Sequence, residues 1–169
     1  ESRFLPKENT RGVSLVFFPG GMVDPMAYDP LARRIARHGY PVYVIKMPGR
    51  FNFSSTGRND MLTNALHKTQ TGRWVIAGHS RGAVLATEFA ALHPSRVSGL
   101  ILIGTTHPRD FDLSAATFPI TKIMGSRDGV APISSSLENR AKLPPKARMI
   151  TIEGANHAQF AYYRYQLFD

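Results

Sequence analysis

The chain has 169 residues, 43% of them hydrophobic and 20% charged, and no cysteine. That is the length of one domain, long enough to bury roughly 70% of the surface its unfolded chain exposes, and the missing cysteines exclude disulfides, thiolate metal sites and a cysteine nucleophile. The net charge of +9, from 21 Lys+Arg against 12 Asp+Glu, is carried by scattered arginines without a long basic run, aromatic interleaving or a nucleic-acid motif, so it reads as solubility and not as nucleic-acid binding.

In chain order, Val13 to Phe18 reads as a buried strand. Pro25 to His38 reads as a helix, with Leu31 and Ile35 four apart on one face and Gly39 as the stop. Pro41 to Met47 is the next strand, Pro48 to Gly57 a loop and Asn59 to Thr69 a weaker helix. Arg73 to Ala77 is a strand, and Gly82 to Leu92 a helix ended by His93-Pro94. Val97 to Ile103 is strongly apolar and extended, and a loop with little pattern runs from Thr105 to Thr117. A strand over Pro119 to Met124, a helix over Ile133 to Lys142, a last strand over Lys146 to Ile152 and a final helix from near His157 complete the series. Short apolar strands alternating with helices predict an α/β fold: a mostly parallel sheet of about six strands with helices on both faces. Ligands in such sheets bind at the carboxyl ends of the strands.

The polar exceptions in the pattern fall at that edge. Gly78-His79-Ser80-Arg81-Gly82 stands between a strand and a helix, where a serine sits on a strained turn with its hydroxyl above the sheet. The two glycines suit a place where strand and helix backbones pass too close for side chains. A serine hydroxyl needs an adjacent base, and that base an orienting carboxylate. Both follow later strands. Asp128 lies in Gly125-Ser126-Arg127-Asp128-Gly129, and His157 in Glu153-Gly154-Ala155-Asn156-His157. The competing readings are a helix-capping Ser80, an Asp128 that merely builds an Asp-Gly turn, and a surface His157.

With these residues in place the chain resembles the α/β-hydrolase superfamily, from about Val13 to about Tyr163. The order Ser80, Asp128, His157 matches that superfamily's order of nucleophile, acid and base. The stretches Phe18-Pro19-Gly20-Gly21-Met22-Val23-Asp24-Pro25 and Gly154-Ala155-Asn156-His157-Ala158-Gln159-Phe160 look most like small, capless bacterial hydrolases of the dienelactone-hydrolase-like group. Those enzymes use cysteine where this chain has serine, so their substrate does not carry over. The resemblance implies an oxyanion hole built from the backbone N–H of Arg81 and of Gly21 or Met22, both open at this point. It also implies no cap domain, because a cap would be inserted after the strand that follows the elbow helix, where only Gly104 to Phe118 is available.

These features predict a serine hydrolase cleaving small carboxylic esters or lactones, with no metal and no organic cofactor. The competing class is a small-ligand binding protein on the same fold; a missing triad member would favour it, and none is missing. Acyl transfer to peroxide, alcohols or thiols on the same triad stays open. His107, Arg127 and Gln159 are the candidate substrate-binding residues. His107 otherwise reads as a surface-loop residue, and His79 as a buried structural one. Arg81 either pairs with a carboxylate or joins Arg127 in favouring an anionic acyl group. No apolar run approaches the roughly 20 residues of a membrane-spanning helix, and no signal peptide is visible. The ends at Glu1 and Asp169 read as trimmed, so a removed leader or anchor is left open. Oligomeric state and compartment are unassigned, with the cytoplasm as default.

Overall fold

The computed structural model describes residues 2–6, 11–46, 72–163 and 169. The loop expected from Pro48 to Gly57 and the helix expected over Asn59 to Thr69 lie outside them.

Strands β1 (Ser2–Phe4), β2 (Ser14–Phe18), β3 (Val42–Val44), β4 (Trp74–His79), β5 (Val97–Ile103), β6 (Ile120–Gly125) and β7 (Arg148–Ile152) form one sheet. Their order is β1-β3-β2-β4-β5-β6-β7. All neighbours are parallel except β1 and β3. The sheet thus has seven strands where about six were expected; the extra one is the three-residue antiparallel edge strand β1, too short to carry a periodic signal.

Every residue of β2 is buried, because both faces of the sheet are covered. Val16 and Phe18 pack with Leu85, Ala86 and Phe89 of helix α2 (Arg81–Leu92) on one face. Leu15 and Phe17 pack with Ala32 and Ala36 of helix α1 (Asp29–Ala36) on the other. A strand buried on both sides needs apolar residues throughout, which is why its sequence shows no alternation.

The helix expected over Pro25 to His38 is shorter and broken. Asp24 caps a 3-10 turn over Pro25–Tyr28 by accepting from Met26 N–H, and Asp29, the first residue of α1, returns its N–H to Met26 O. Pro30 has no N–H to give to Met26 O, so an α-helical ladder does not pass through it. Helix α3 (Ile133–Leu137) is also short, and Arg140–Lys142 is a separate 3-10 turn. The expected final helix is a single 3-10 turn, Ala158–Phe160, among the described residues.

Two features position the site. The connection leaving β2 leads to β3 on one side, while β4 leads through α2 to β5 on the other. The crevice between β2 and β4 is therefore the switch point where α/β sheets bind ligands. No helix forms in the connection from β5 to β6, and Leu113 and Phe118 anchor it in the core. It forms a fitted loop, not a cap.

Candidate active site

Ser80 follows β4 with φ 53° and ψ −119°, one of two non-glycine residues with positive φ among the described residues. Such a conformation costs of order 1–3 kcal/mol and persists only where surrounding structure enforces it. The enforcement is visible. Ser80 N–H donates to Ile103 O at 2.9 Å, and α2 starts at the next residue. A Cβ on Gly82 would lie 2.1 Å from Phe18 O, and one on Gly78 2.3 Å from Gly82 O. The Ser80 side chain makes no capping bond to α2, so capping does not explain the serine. Overpacking by one methyl costs about 1–3 kcal/mol even where side chains can yield, and here the obstacle is backbone. Gly82→Ala should lower the unfolding temperature by at least about 5 °C; an unchanged melting curve would show that the turn has slack.

The loop after β2 runs against this turn. Gly20 N–H donates to the Tyr28 hydroxyl at 2.9 Å, and Val23 N–H closes a turn on Gly20 O at 3.3 Å. A Cβ on Gly21 would sit 3.3 Å from Arg81 Cβ, so the bare face of Gly21 abuts the start of α2. Met22 has φ 62° and an exposed side chain. The N–H groups of Gly21 and Met22 make no hydrogen bond among the described residues.

Asp128 and His157 meet. His157 Nδ1 lies 2.8 Å from Asp128 Oδ2, with side chains 1% and 0% exposed. The other oxygen, Oδ1, accepts from Val130 N–H at 3.0 Å and Ala131 N–H at 2.6 Å. Asp128 therefore builds its turn and holds the histidine at once. Burial alone would raise its pKa; the hydrogen bonds from His157 and the Ala131 and Val130 amides outweigh that and hold the carboxyl below its usual value. The His157 loop is fixed from a second side. Its N–H and that of Ala158 donate to the two carboxylate oxygens of Asp169, each at 2.6 Å.

His157 Nε2 is buried without a hydrogen-bond partner, and the Ser80 hydroxyl makes no hydrogen bond among the described residues. The Asp128–His157 contact is formed and a His157–Ser80 contact is not. Gly104 (φ +50°), just past β5, brings the parts together: a Cβ there would lie within 3.3 Å of His79, Phe160 and Asp128 Oδ2.

The remaining candidates divide. His107 is buried, contrary to the surface-loop reading. Burial, then the positive charge of Arg109, lowers its pKa to about 4, and Arg109 Nη2 lies 3.3 Å from its Nε2. Gln159 is engaged in its own turn, accepting from Asn156 N–H while its N–H donates to Asn156 Oδ1. Arg127 and Arg81 are exposed. No group of three or more His, Cys, Asp or Glu placed to hold a metal ion occurs among the described residues, and no helix among them is long and apolar enough to cross a membrane.

The periodicity of β6 conceals Lys122, which is 1% exposed. Its ammonium donates to His107 O at 2.7 Å and Ser136 O at 2.5 Å, tying the β5–β6 loop to α3. Desolvation lowers its pKa to about 8. Between about pH 8 and 10.4 the unfolded chain thus binds more protons at this position, and stability rises with pH there. Lys122→Met should cancel that rise. The unfolding temperature of wild type relative to the variant should therefore climb between those limits; a pH-independent difference would contradict it.

The fold has many counterparts. A predicted hydrolase of Thermoplasma acidophilum superposes with a TM-score of 0.78 at 22% identity, covering 94% of this chain and 82% of that one. A monoacylglycerol lipase of Paleococcus ferrophilus gives 0.77 at 12% identity over 94% and 90%. In sequence, a Mycobacterium phage D29 protein named as a non-heme haloperoxidase is 34% identical over 99 residues, 54% of this chain and 36% of that protein. A pimeloyl-[acyl-carrier protein] methyl ester esterase of Shewanella sp. (strain MR-7) is 31% identical over 98 residues, 57% and 36% of the two chains. The matches span about a third of the length of these curated relatives, and none of the proteins named here supports the narrower likeness to dienelactone hydrolases. The model of the alpha/beta hydrolase family matches residues 14–169, and the chain belongs to that family.

Proposed function

We propose that the protein is a serine hydrolase that cleaves small carboxylic esters or lactones through an acyl-enzyme. The observation that carries this reading is the buried His157–Asp128 pair, 2.8 Å apart, with the far imidazole nitrogen unpartnered among the described residues, at the same sheet edge as a serine held at φ 53°. A base whose hydrogen bond to the nucleophile tightens only with substrate bound is consistent with that open nitrogen.

In this scheme His157 Nε2 takes the Ser80 proton as Oγ bonds to the carbonyl carbon. Asp128 holds the Nδ1–H tautomer and stabilises the imidazolium. The oxyanion accepts from the N–H groups of Arg81 and Gly21. Gly21 is preferred to Met22 because its bare face abuts Arg81. Collapse of the intermediate breaks the carbonyl carbon–oxygen bond, and His157 gives its proton to the departing alkoxide. Water, deprotonated by the same histidine, then releases the acid and restores Ser80. One oxyanion donor is worth about 3–4 kcal/mol.

A fluorophosphonate probe tests the reading. Rapid, stoichiometric labelling mapped to Ser80 by mass spectrometry is expected. An unlabelled protein would favour the small-ligand binding alternative. The likeness to a protein named as a non-heme haloperoxidase gives reason to assay peroxide alongside water as acyl acceptor, with peracid as the diagnostic product.

A further inference from the structure

Tyr28 and His79 make and break no bond in this scheme, yet both are buried beside it, at 1% and 0% exposure. The Tyr28 hydroxyl accepts from Gly20 N–H at 2.9 Å and lies 2.8 Å from His79 Nδ1. The His79 ring also meets the His157 ring, at 4.6 Å between centroids. A continuous line of contacts thus joins the loop of the oxyanion donors to the ring of the general base. We propose that Tyr28 and His79 are positioning residues, a buried pair that sets the Gly20-Gly21 loop and the His157 imidazole in one frame. The inference rests on the Ser80–His157 reading above.

In the tautomer that uses the Tyr28 hydroxyl fully, its oxygen accepts from Gly20 and its proton goes to His79 Nδ1, which puts the ring proton on Nε2, an atom without a hydrogen-bond partner among the described residues. Burial, then the neighbouring His157, lowers the His79 pKa to about 3, and burial raises that of the Tyr28 phenol. Both groups are therefore neutral at working pH. Neutrality matters, because His157 becomes cationic during attack and a charged ring against it would oppose that step.

The pair also determines which amide faces the substrate. With Gly20 N–H committed to Tyr28, the next amide in the loop, that of Gly21, is left to face outward. A Cβ on Gly20 would lie 3.1 Å from the Tyr28 hydroxyl and 3.2 Å from His79 Nδ1, so the loop is closely fitted to the pair. Tyr28 is in turn braced by Phe17, ring to ring at 4.8 Å. Its neighbour Ala27 accepts from Tyr162 N–H at 2.8 Å, which ties the tyrosine's turn to the segment after His157. An apolar pair of the same volume would fill the space but leave the Gly20 amide without its acceptor.

The test is steady-state hydrolysis of p-nitrophenyl acetate, with fluorophosphonate labelling and melting curves, on wild type, Ser80→Ala, Tyr28→Phe, His79→Phe and His79→Asn. Tyr28→Phe keeps the ring and loses the hydroxyl. Its kcat should fall by about ten-fold with KM within about two-fold, the signature of an interaction felt mainly in the transition state, and labelling should slow in proportion. Asparagine at 79 keeps an acceptor near the Nδ1 position, whereas phenylalanine keeps only the volume. His79→Asn should therefore be the faster of the two, and a role in packing alone would reverse that order. A folded Tyr28→Phe with wild-type kcat, beside an inactive Ser80→Ala, would overturn the inference and spare the triad. An active Ser80→Ala would instead remove the triad reading itself. Should Tyr28→Phe fail to fold, the two His79 variants decide alone, and equal or reversed rates overturn the proposal.

Discussion

Replacing Ser80 with alanine should lower kcat for an activated ester by about a million-fold, as loss of the nucleophile does where serine, histidine and carboxylate act as a unit. The melting temperature should stay within a degree or two. The Ser80 hydroxyl neither caps α2 nor bonds elsewhere among the described residues, so its removal leaves no buried group unpaired. The strain at φ 53° is a backbone property that alanine inherits. The combination is diagnostic, because a residue kept for stability would show the opposite pattern: a lower melting temperature with a proportionate, modest loss of rate. Residual turnover above the buffer rate would measure what the oxyanion donors and substrate binding contribute on their own. A variant that kept wild-type turnover would refute the nucleophile assignment.

Legibility in the sequence followed the physics of each element. Val97–Ile103 emerges with the bounds its apolar run predicts, because a strand buried on both faces needs nothing but apolar residues. The elbow was legible because its glycines answer to steric contacts under 2.5 Å, and such contacts leave glycine no substitute. Asp128 shows the limit. In sequence its Asp-Gly turn and its link to a histidine read as rivals, whereas separate carboxylate oxygens serve both. Partners distant in sequence escape pattern reading for the same reason. The hydroxyl of Tyr28 finds His79 51 positions away, and nothing local to either residue signals it. Lys122 was hidden by a strand pattern that has no place for a buried ammonium; only the convergence of two backbone carbonyls explains it. The break before α1 turned on Pro30, one missing donor inside an otherwise helical stretch.

Asp128→Asn should lower kcat by about ten-thousand-fold with the fold retained. Asparagine preserves the shape, and its amide oxygen can go on accepting from Val130 and Ala131, the two amides that Asp128 Oδ1 now serves. The NH2 group then faces His157 Nδ1, where the carboxylate stood at 2.8 Å. Two donors cannot share that bond, so Nδ1 must give up its proton and the imidazole takes the tautomer protonated at Nε2, the nitrogen that receives the serine proton in the proposed scheme. The acidic range supplies a second readout. A carboxyl held below its ordinary pKa contributes stability above the unfolded value of about 3.9 and loses it as pH falls through the still lower folded value. The wild type's advantage in melting temperature over Asp128→Asn should therefore be full at neutral pH and shrink below about pH 4. Glu153 is the nearest alternative acid, but it is exposed and its carboxylate accepts from Ser126 Oγ at 2.9 Å, so Glu153→Gln should leave kcat within about two-fold of wild type. If the losses fell the other way, with Glu153→Gln inactive and Asp128→Asn near wild type, the buried pair would be a structural bond and the orienting acid would lie at the end of β7.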